Sequence, residues 1–305
     1  MGYLPIHLGT LRGGDIISFD IYIMLGSRHV HYIRKSDPFD SDRIENLRKK
    51  RVKKLYIPEE DEPHYLSYLD SGLDKAQDAS ISVENRSELI SGALTTDAEN
   101  AERAVQTEAG YRRTENRVAK VIDFFTSQAS AMKNVLSAAG CAQDVFQHSA
   151  NVVSLSLGLA GALGIKDPKA LTDLGIAGLL HDIGLGKLGL TPQAEIDKLP
   201  VDVLTQYKQH PETGAMSLSD KPYVTPGVIE LIKNHEEAGE GAGYPGKKRL
   251  NTLPLQQQVF NLCNAYDRFC TSKNIAPTEG MQAFFQARIG HFDLNHLKLL
   301  VSSLK

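Results

Sequence analysis

At 305 residues the chain is long enough for one large or two medium domains with a well-buried core. Its 41% apolar and 23% charged residues are ordinary globular composition, and a formal net charge of −3 argues against a protein that coats nucleic acid, so no DNA partner is expected. A small anion bound in a local pocket is not excluded.

Cys141, Cys263 and Cys270 fall in no CxxC spacing and leave one cysteine odd, which points to a reducing compartment without disulfides. The N-terminus lacks the basic-then-apolar order of a signal peptide. The longest apolar run, VVSLSLGLAGALGI at 152–165, has 14 residues and is too short to span a bilayer. A cytoplasmic protein with no membrane span is expected.

Residues 15–25, DIISFDIYIML, and 28–34, RHVHYIR, read as two antiparallel strands joined by a turn at Leu25-Gly26-Ser27. Pro38 to Asp42 supplies turn and N-cap residues for a short helix, SDRIENLRKKRV, with Ile44 and Leu47 inward. VKKLYIP is a further strand stopped by Pro58, and an acidic first turn then opens the helix EEDEPHYLSYLDSGLDKA. This order predicts a small α/β domain over 1–78, suited to a sensory or partner-binding role. His29 and His31 share one side of a strand; they could ligate a metal, but no nearby carboxylate completes the set, and ordinary surface residues are the expectation. The run RKKRVKK at 48–54 reads as a solvated helix face. Residues 79–110 are polar and free of proline, and predict a helical connector. From 111 to 305 the pattern is helical throughout, so the whole is an α+β two-domain protein with an all-α second part.

In that second part RTENRVAKVIDFFTSQASAMKNVL places Val118, Val121, Ile122, Phe125 and Met132 on one helix face. His148 follows in mid-helix, with Asp144 one turn before it. Asp167-Pro168 starts another helix, which ends in His181-Asp182, a glycine-broken turn and Lys187. A carboxylate at the buried end of an apolar helix needs a partner. A hydrogen-bonded His-Asp cap is one solution, and a divalent metal, which accepts nitrogen and oxygen together, is another. His210 opens HPETG, with Pro211 fit for the first helical turn, and His235 closes TPGVIELIKNH before the glycine-rich EEAGEGAGYPG. Four histidines and an aspartate on separate helices, each beside a break, favour the metal.

The series is recognisable. Over about residues 115–275 the chain resembles the HD phosphohydrolase superfamily and, within it, the HD-GYP family of cyclic di-GMP phosphodiesterases. The resemblance rests on the His148 helix, LLHDIG, HPETG, Asn234-His235-Glu236, Gly243-Tyr244-Pro245 and the closing helix LPLQQQVFNLCNAYD. It implies an all-α HD bundle and two-metal phosphodiester hydrolysis. The implied ligands are His148, His181, Asp182, His210, His235 and Asn264 (or Asp267), with Asp182 bridging. Lys187 would neutralise phosphate, and Gly243, Tyr244 and Pro245 would meet substrate. Two divalent ions are expected, iron first, with manganese or zinc as alternatives, and cyclic di-GMP or a related nucleotide as ligand. Protein partners could dock on the GYP loop or the first domain.

The chain also departs from the family pattern. Asn234 stands for the first of two histidines, Asn264 for an aspartate and Gln258 for an arginine, while SKNIAP replaces an arginine-rich segment. HDIGLGK is two residues longer than the usual HDIGK, and the GYP loop carries Ala238, Gly239 and Glu240 in place of an aromatic and an aspartate. Asp144 would replace a glutamate that supports a third metal, so two ions are favoured over three. A weakly active or inactive cyclic di-GMP receptor, or a signalling scaffold that keeps the metal site, is the competing expectation.

Overall fold

The computed structural model describes residues 2–50, 52, 54–128, 130–139, 145–191 and 196–304. The chain forms two compact units, Met1–Thr96 and Asp97–Lys305. The division falls inside 79–110, most of which is a single helix.

In the first unit, strands β1 (Tyr3–His7), β2 (Ile21–Leu25), β3 (Arg28–Ile33) and β4 (Lys54–Pro58) form an antiparallel sheet in the order β1-β4-β2-β3. Alternation puts Ile6, Ile21, Leu55 and Ile57 into a core completed by Phe19, Phe39, Ile44, Leu47 and Tyr65. Ile44 and Leu47 come from α1 (Ser41–Lys49), which Asp40 caps by accepting Arg43 N at 2.7 Å, and Tyr65 comes from α2 (Glu62–Lys75). The opposite sheet face is aromatic: Tyr3 stacks on His29 at 4.1 Å and meets Tyr22 at 4.9 Å. His31 Nε2 lies 3.3 Å from Asp20, and neither strand histidine belongs to a group of described residues able to hold a metal.

Two features differ from expectation. Strand β1 had no sequence signal, because Pro5 interrupts it; at a sheet edge, a residue that cannot donate is tolerated. The run 15–25 is strand only from Ile21. Before that, Asp20 binds Lys35 N through its carboxylate at 2.7 Å and gives its own N–H to Asp61 at 3.2 Å, so side chains replace the ladder.

Helix α3 (Val83–Ala104) contributes to both units. The second unit continues through α4 (Glu108–Ser127), α5 (Ala131–Ala139), α6 (Val145–Ala162), α7 (Pro168–Leu180) and α8 (Ile183–Lys187). It ends with α9 (Val201–Tyr207), α10 (His210–Leu218), α11 (Pro226–Asn234), α12 (Leu255–Lys273), α13 (Met281–Arg288) and α14 (Leu294–Ser303). Among its described residues there is no strand, only an isolated bridge between Glu240 and Arg249. Helices α6 and α7 are buried on nearly every side, as their continuous apolar sequences require. They pack on each other, α12 packs on α6, and α10 packs on α8 and α11. No helix among the described residues is long and apolar enough to cross a membrane.

Candidate metal centre

Helix ends bring the site together. Asp167 caps α7 by accepting Lys169 N and Ala170 N, Pro168 fills the first turn, and thirteen residues later the helix delivers His181 at its C-cap. Asp182 follows as N-cap of α8. His210 opens α10 ahead of Pro211, and His235 caps the C-terminus of α11, whose start is fixed by Thr225 and Pro226. His148 enters from the middle of α6. Gly184 is required where α8 meets α10, because a Cβ there would lie 2.0 Å from the His210 carbonyl oxygen.

His181 and His210 are fully buried and His235 nearly so. Three of the four imidazoles are aimed by a carbonyl three residues back: His181 Nδ1 donates to Gly178 O at 3.0 Å, His210 Nδ1 to Tyr207 O at 2.8 Å, and His235 Nδ1 to Ile232 O at 2.6 Å. A carbonyl can only accept, so each Nδ1 carries the proton and each Nε2 presents a lone pair. His148 Nδ1 meets the carboxylate of Asp267 at 2.7 Å, with the same consequence. Burial pushes His181 down to about 3, with His148 and His235 adding to the effect against the opposing Asp182 charge, so this ring is neutral at physiological pH.

The lone pairs converge in two sets. His148 and His181 bring their Nε2 atoms to 3.1 Å, and His210 and His235 to 2.9 Å. Asp182 lies between them. Its Oδ2 is 3.5 Å from His181 Nε2, while Oδ1 is 3.3 Å from His210 and 3.7 Å from His235. Both Asp182 oxygens are buried and accept no hydrogen bond. Unprotonated nitrogens facing each other around a bare carboxylate repel in a dry pocket. A cation removes the conflict, and the spacing suits one: two nitrogens bound cis at about 2.1 Å from one ion stand about 3.0 Å apart. Among the described residues two groups could hold a metal, His148-His181-Asp182 and Asp182-His210-His235.

Sequence reasoning left Asn264 and Asp267 as alternatives, and their surroundings differ. Asp267 is engaged at both oxygens, by His148 Nδ1 and by Asn151 Nδ2 at 2.8 Å, so it orients His148. Asn264 keeps a buried Oδ1 with no donor, while its Nδ2 reaches toward Glu236 at 3.3 Å. Asp267→Ala is therefore expected to weaken metal affinity about 10–100-fold while sparing the fold. Competition with a chelator measures it, and unchanged affinity would remove the orienting role.

Other expected residues are placed as follows. Lys187 Nζ donates to Glu102 at 2.9 Å, both side chains being partly in solvent. Asn234 turns to the loop, giving Nδ2 to Glu230 and accepting Lys248 Nζ at 2.8 Å. Gln258 binds the Leu253 carbonyl. Gly243 allows the loop to fold against its own start, since a Cβ there would meet Glu236 O at 2.2 Å. Tyr244 sets its ring 6.2 Å from that of His210, with its hydroxyl buried and unpartnered. Asp144 and Cys141 lie outside the described residues.

Two residues had no individual signal in the sequence. Glu237, buried beside His235, accepts Gly246 N at 2.6 Å and Lys248 N at 2.8 Å and so ties down the glycine-rich loop. Arg268 forms an ion pair with Glu236 at the edge of the cluster. Burial alone would raise the Glu236 carboxyl, but the Arg268 guanidinium beside it holds it below the usual range.

A family model described as HD domain matches residues 132–293, more than half of the chain. The chain belongs to that family and, with its GYP segment, to the HD-GYP branch of it. A solved structure, Bd1817, an HDGYP protein from Bdellovibrio bacteriovorus, superposes with a TM-score of 0.81 at 28% identity, covering 99% of each chain. The cyclic di-GMP phosphodiesterase PA4108 of Pseudomonas aeruginosa is 30% identical over 128 residues, 42% of this chain and 31% of that protein. The cyclic di-GMP phosphodiesterase response regulator RpfG of Xanthomonas campestris is 23% identical over 170 residues, 55% of this chain and 40% of that one. The chain thus spans well under half the length of these curated relatives.

Proposed function

We propose that the chain is a metal-dependent phosphodiesterase that hydrolyses cyclic di-GMP at a binuclear centre. The observation that carries this reading is the division of Asp182, one unpartnered oxygen toward each pair of facing Nε2 atoms. His148, His181 and Asp182 would hold one ion and Asp182, His210 and His235 the other, with the amide oxygen of Asn264 available as a neutral donor. Imidazole and carboxylate without thiolate suit iron, manganese or zinc, and the likeness to HD-GYP proteins favours iron. The bound metals supply Lewis-acid polarisation and neutralise charge on the phosphodiester.

Around them the protein's own groups position and exclude. The carbonyl and Asp267 contacts fix all four ring orientations before any ion arrives. Gly243, Tyr244 and Pro245 wall the His210 side of the site and limit water there. Lys187 neutralises the phosphate after leaving Glu102, an exchange that costs little because a half-solvated ion pair is worth no more than about 1 kcal/mol.

Purified protein is expected to carry close to two metal ions per chain by elemental analysis, and fewer than one would sink the binuclear reading. With manganese or iron, cyclic di-GMP should be converted to the linear dinucleotide or GMP. Lys187→Ala should lower that turnover about 10²-fold with metal content unchanged; equal turnover would remove Lys187 from the site. A second reading is favoured by the Lys187–Glu102 pair and by amides at Asn234 and Asn264. In it the chain binds cyclic di-GMP without hydrolysing it, and binding with no product selects it.

A further inference from the structure

Next to the cluster lies a cavity of about 560 Å³ whose walls include Glu236, Gly243, Tyr244 and Arg268. Its charge runs against that of the chain. Five cationic side chains line it, Lys198, Lys208, Arg268, Lys273 and Arg288, and Glu236 is the single carboxylate among its lining residues. A net −3 chain that gathers five cations on one concavity has built a local field for an anion.

Two hydrogen-bonding groups there lack partners. Arg268 gives Nη1 to Oε1 of Glu236, but its Nη2 is buried and makes no hydrogen bond. Guanidinium–carboxylate pairs commonly close with two parallel bonds. Here the second is absent, and the contacts of Glu236 with Asn264 Nδ2 and His235 Nε2 run through the same Oε1. The Tyr244 hydroxyl is likewise buried without a partner. The Lys208 ammonium stands 5.8 Å above the Tyr244 ring, on the same wall. Leaving a guanidinium N–H and a phenol O–H unsatisfied in a buried wall is costly unless a ligand brings the acceptors.

We propose that Arg268 is the residue that receives a phosphate oxygen of the ligand in this cavity, held in place for it by Glu236. The inference rests on the phosphodiester reading for the identity of the ligand, but not for its charge. Glu236 keeps the guanidinium from the solvent and fixes its plane, and Nη2 takes the incoming oxygen, with Tyr244 Oη donating beside it. Because Glu236 competes for the same guanidinium, it also sets the affinity. Arg268 is a specificity residue for an anionic group and supplies no proton to the reaction.

The test uses the full chain with its metals loaded and two probes, cyclic di-GMP and inorganic phosphate, titrated by calorimetry. Arg268→Gln is expected to weaken binding about 10–100-fold, the value of a charge-assisted hydrogen bond. That variant strands the Glu236 charge, so the neutral pair Arg268→Gln with Glu236→Gln is measured beside it and is expected to bind equally weakly with wild-type metal content. Glu236→Gln alone frees the guanidinium and should tighten binding several-fold, a gain that a purely structural ion pair would not give. Wild-type binding of cyclic di-GMP with undiminished affinity in the doubly substituted protein overturns the role of Arg268 and leaves the substrate reading standing. Phosphate binding that depends on Arg268, without cyclic di-GMP binding, upholds Arg268 and overturns the substrate. Binding of neither probe to the wild type overturns the inference.

Discussion

Asp182→Asn is expected to abolish metal binding and, without metal, to make the protein more stable. The carboxylate sits between four imidazole nitrogens and accepts no hydrogen bond at either oxygen. In metal-free protein it is a buried charge that accepts no hydrogen bond, a costly arrangement. An amide of the same shape removes the charge and offers N–H groups to the facing Nε2 lone pairs. The gain should be about 1–3 kcal/mol, a rise of a few degrees in the melting temperature of the chelated protein. With metal the order reverses. The wild type gains about 4 kcal/mol when free metal exceeds its dissociation constant a thousandfold, and the variant, lacking the oxygen shared by both ions, gains little. Thermal melts of both proteins with chelator and with manganese test this crossing. Parallel stabilisation of both by metal would show that Asp182 is not a shared ligand.

The contrast between what was and was not legible in the sequence follows from where the information resides. His181, His210 and His235 could be placed at helix ends because Pro168, Pro211, Pro226 and the glycine-rich loop mark those ends locally. The helical unit was legible for the same reason, and so was most of the sheet. Asn264 and Asp267 could not be separated, since three residues apart on one helix they share a face. Only packing against α6, which carries His148 and Asn151, assigns Asp267 to that helix and leaves Asn264 toward the His235 end. Arg268 was hidden by distance in the chain, its partner Glu236 lying on the far side of the GYP loop. The pairing of Lys187 with Glu102, 85 residues away, was equally out of reach of any local pattern.

Gly184→Ala should damage the second half of the centre more than the first. The glycine after His181-Asp182 reads in the sequence as a helix breaker, yet it lies within α8. Its role is contact: a methyl there would stand 2.0 Å from the His210 carbonyl oxygen and 2.7 Å from Gly214 N, both backbone atoms of α10. Neither can rotate away, so α10 must move as a body, at a cost of about 1–3 kcal/mol or more. His210 moves with it. A shift of a few tenths of an ångström breaks the 2.9 Å approach of His210 to His235 and the 3.3 Å approach to Asp182, while His148 and His181, on α6 and at the end of α7, stay in place. The variant is expected to melt several degrees lower and to retain about one ion per chain instead of two. Retention of both ions at wild-type affinity would mean that α8 and α10 are not rigidly coupled. Loss of both would place the whole burden of the cluster on the spacing that Gly184 sets.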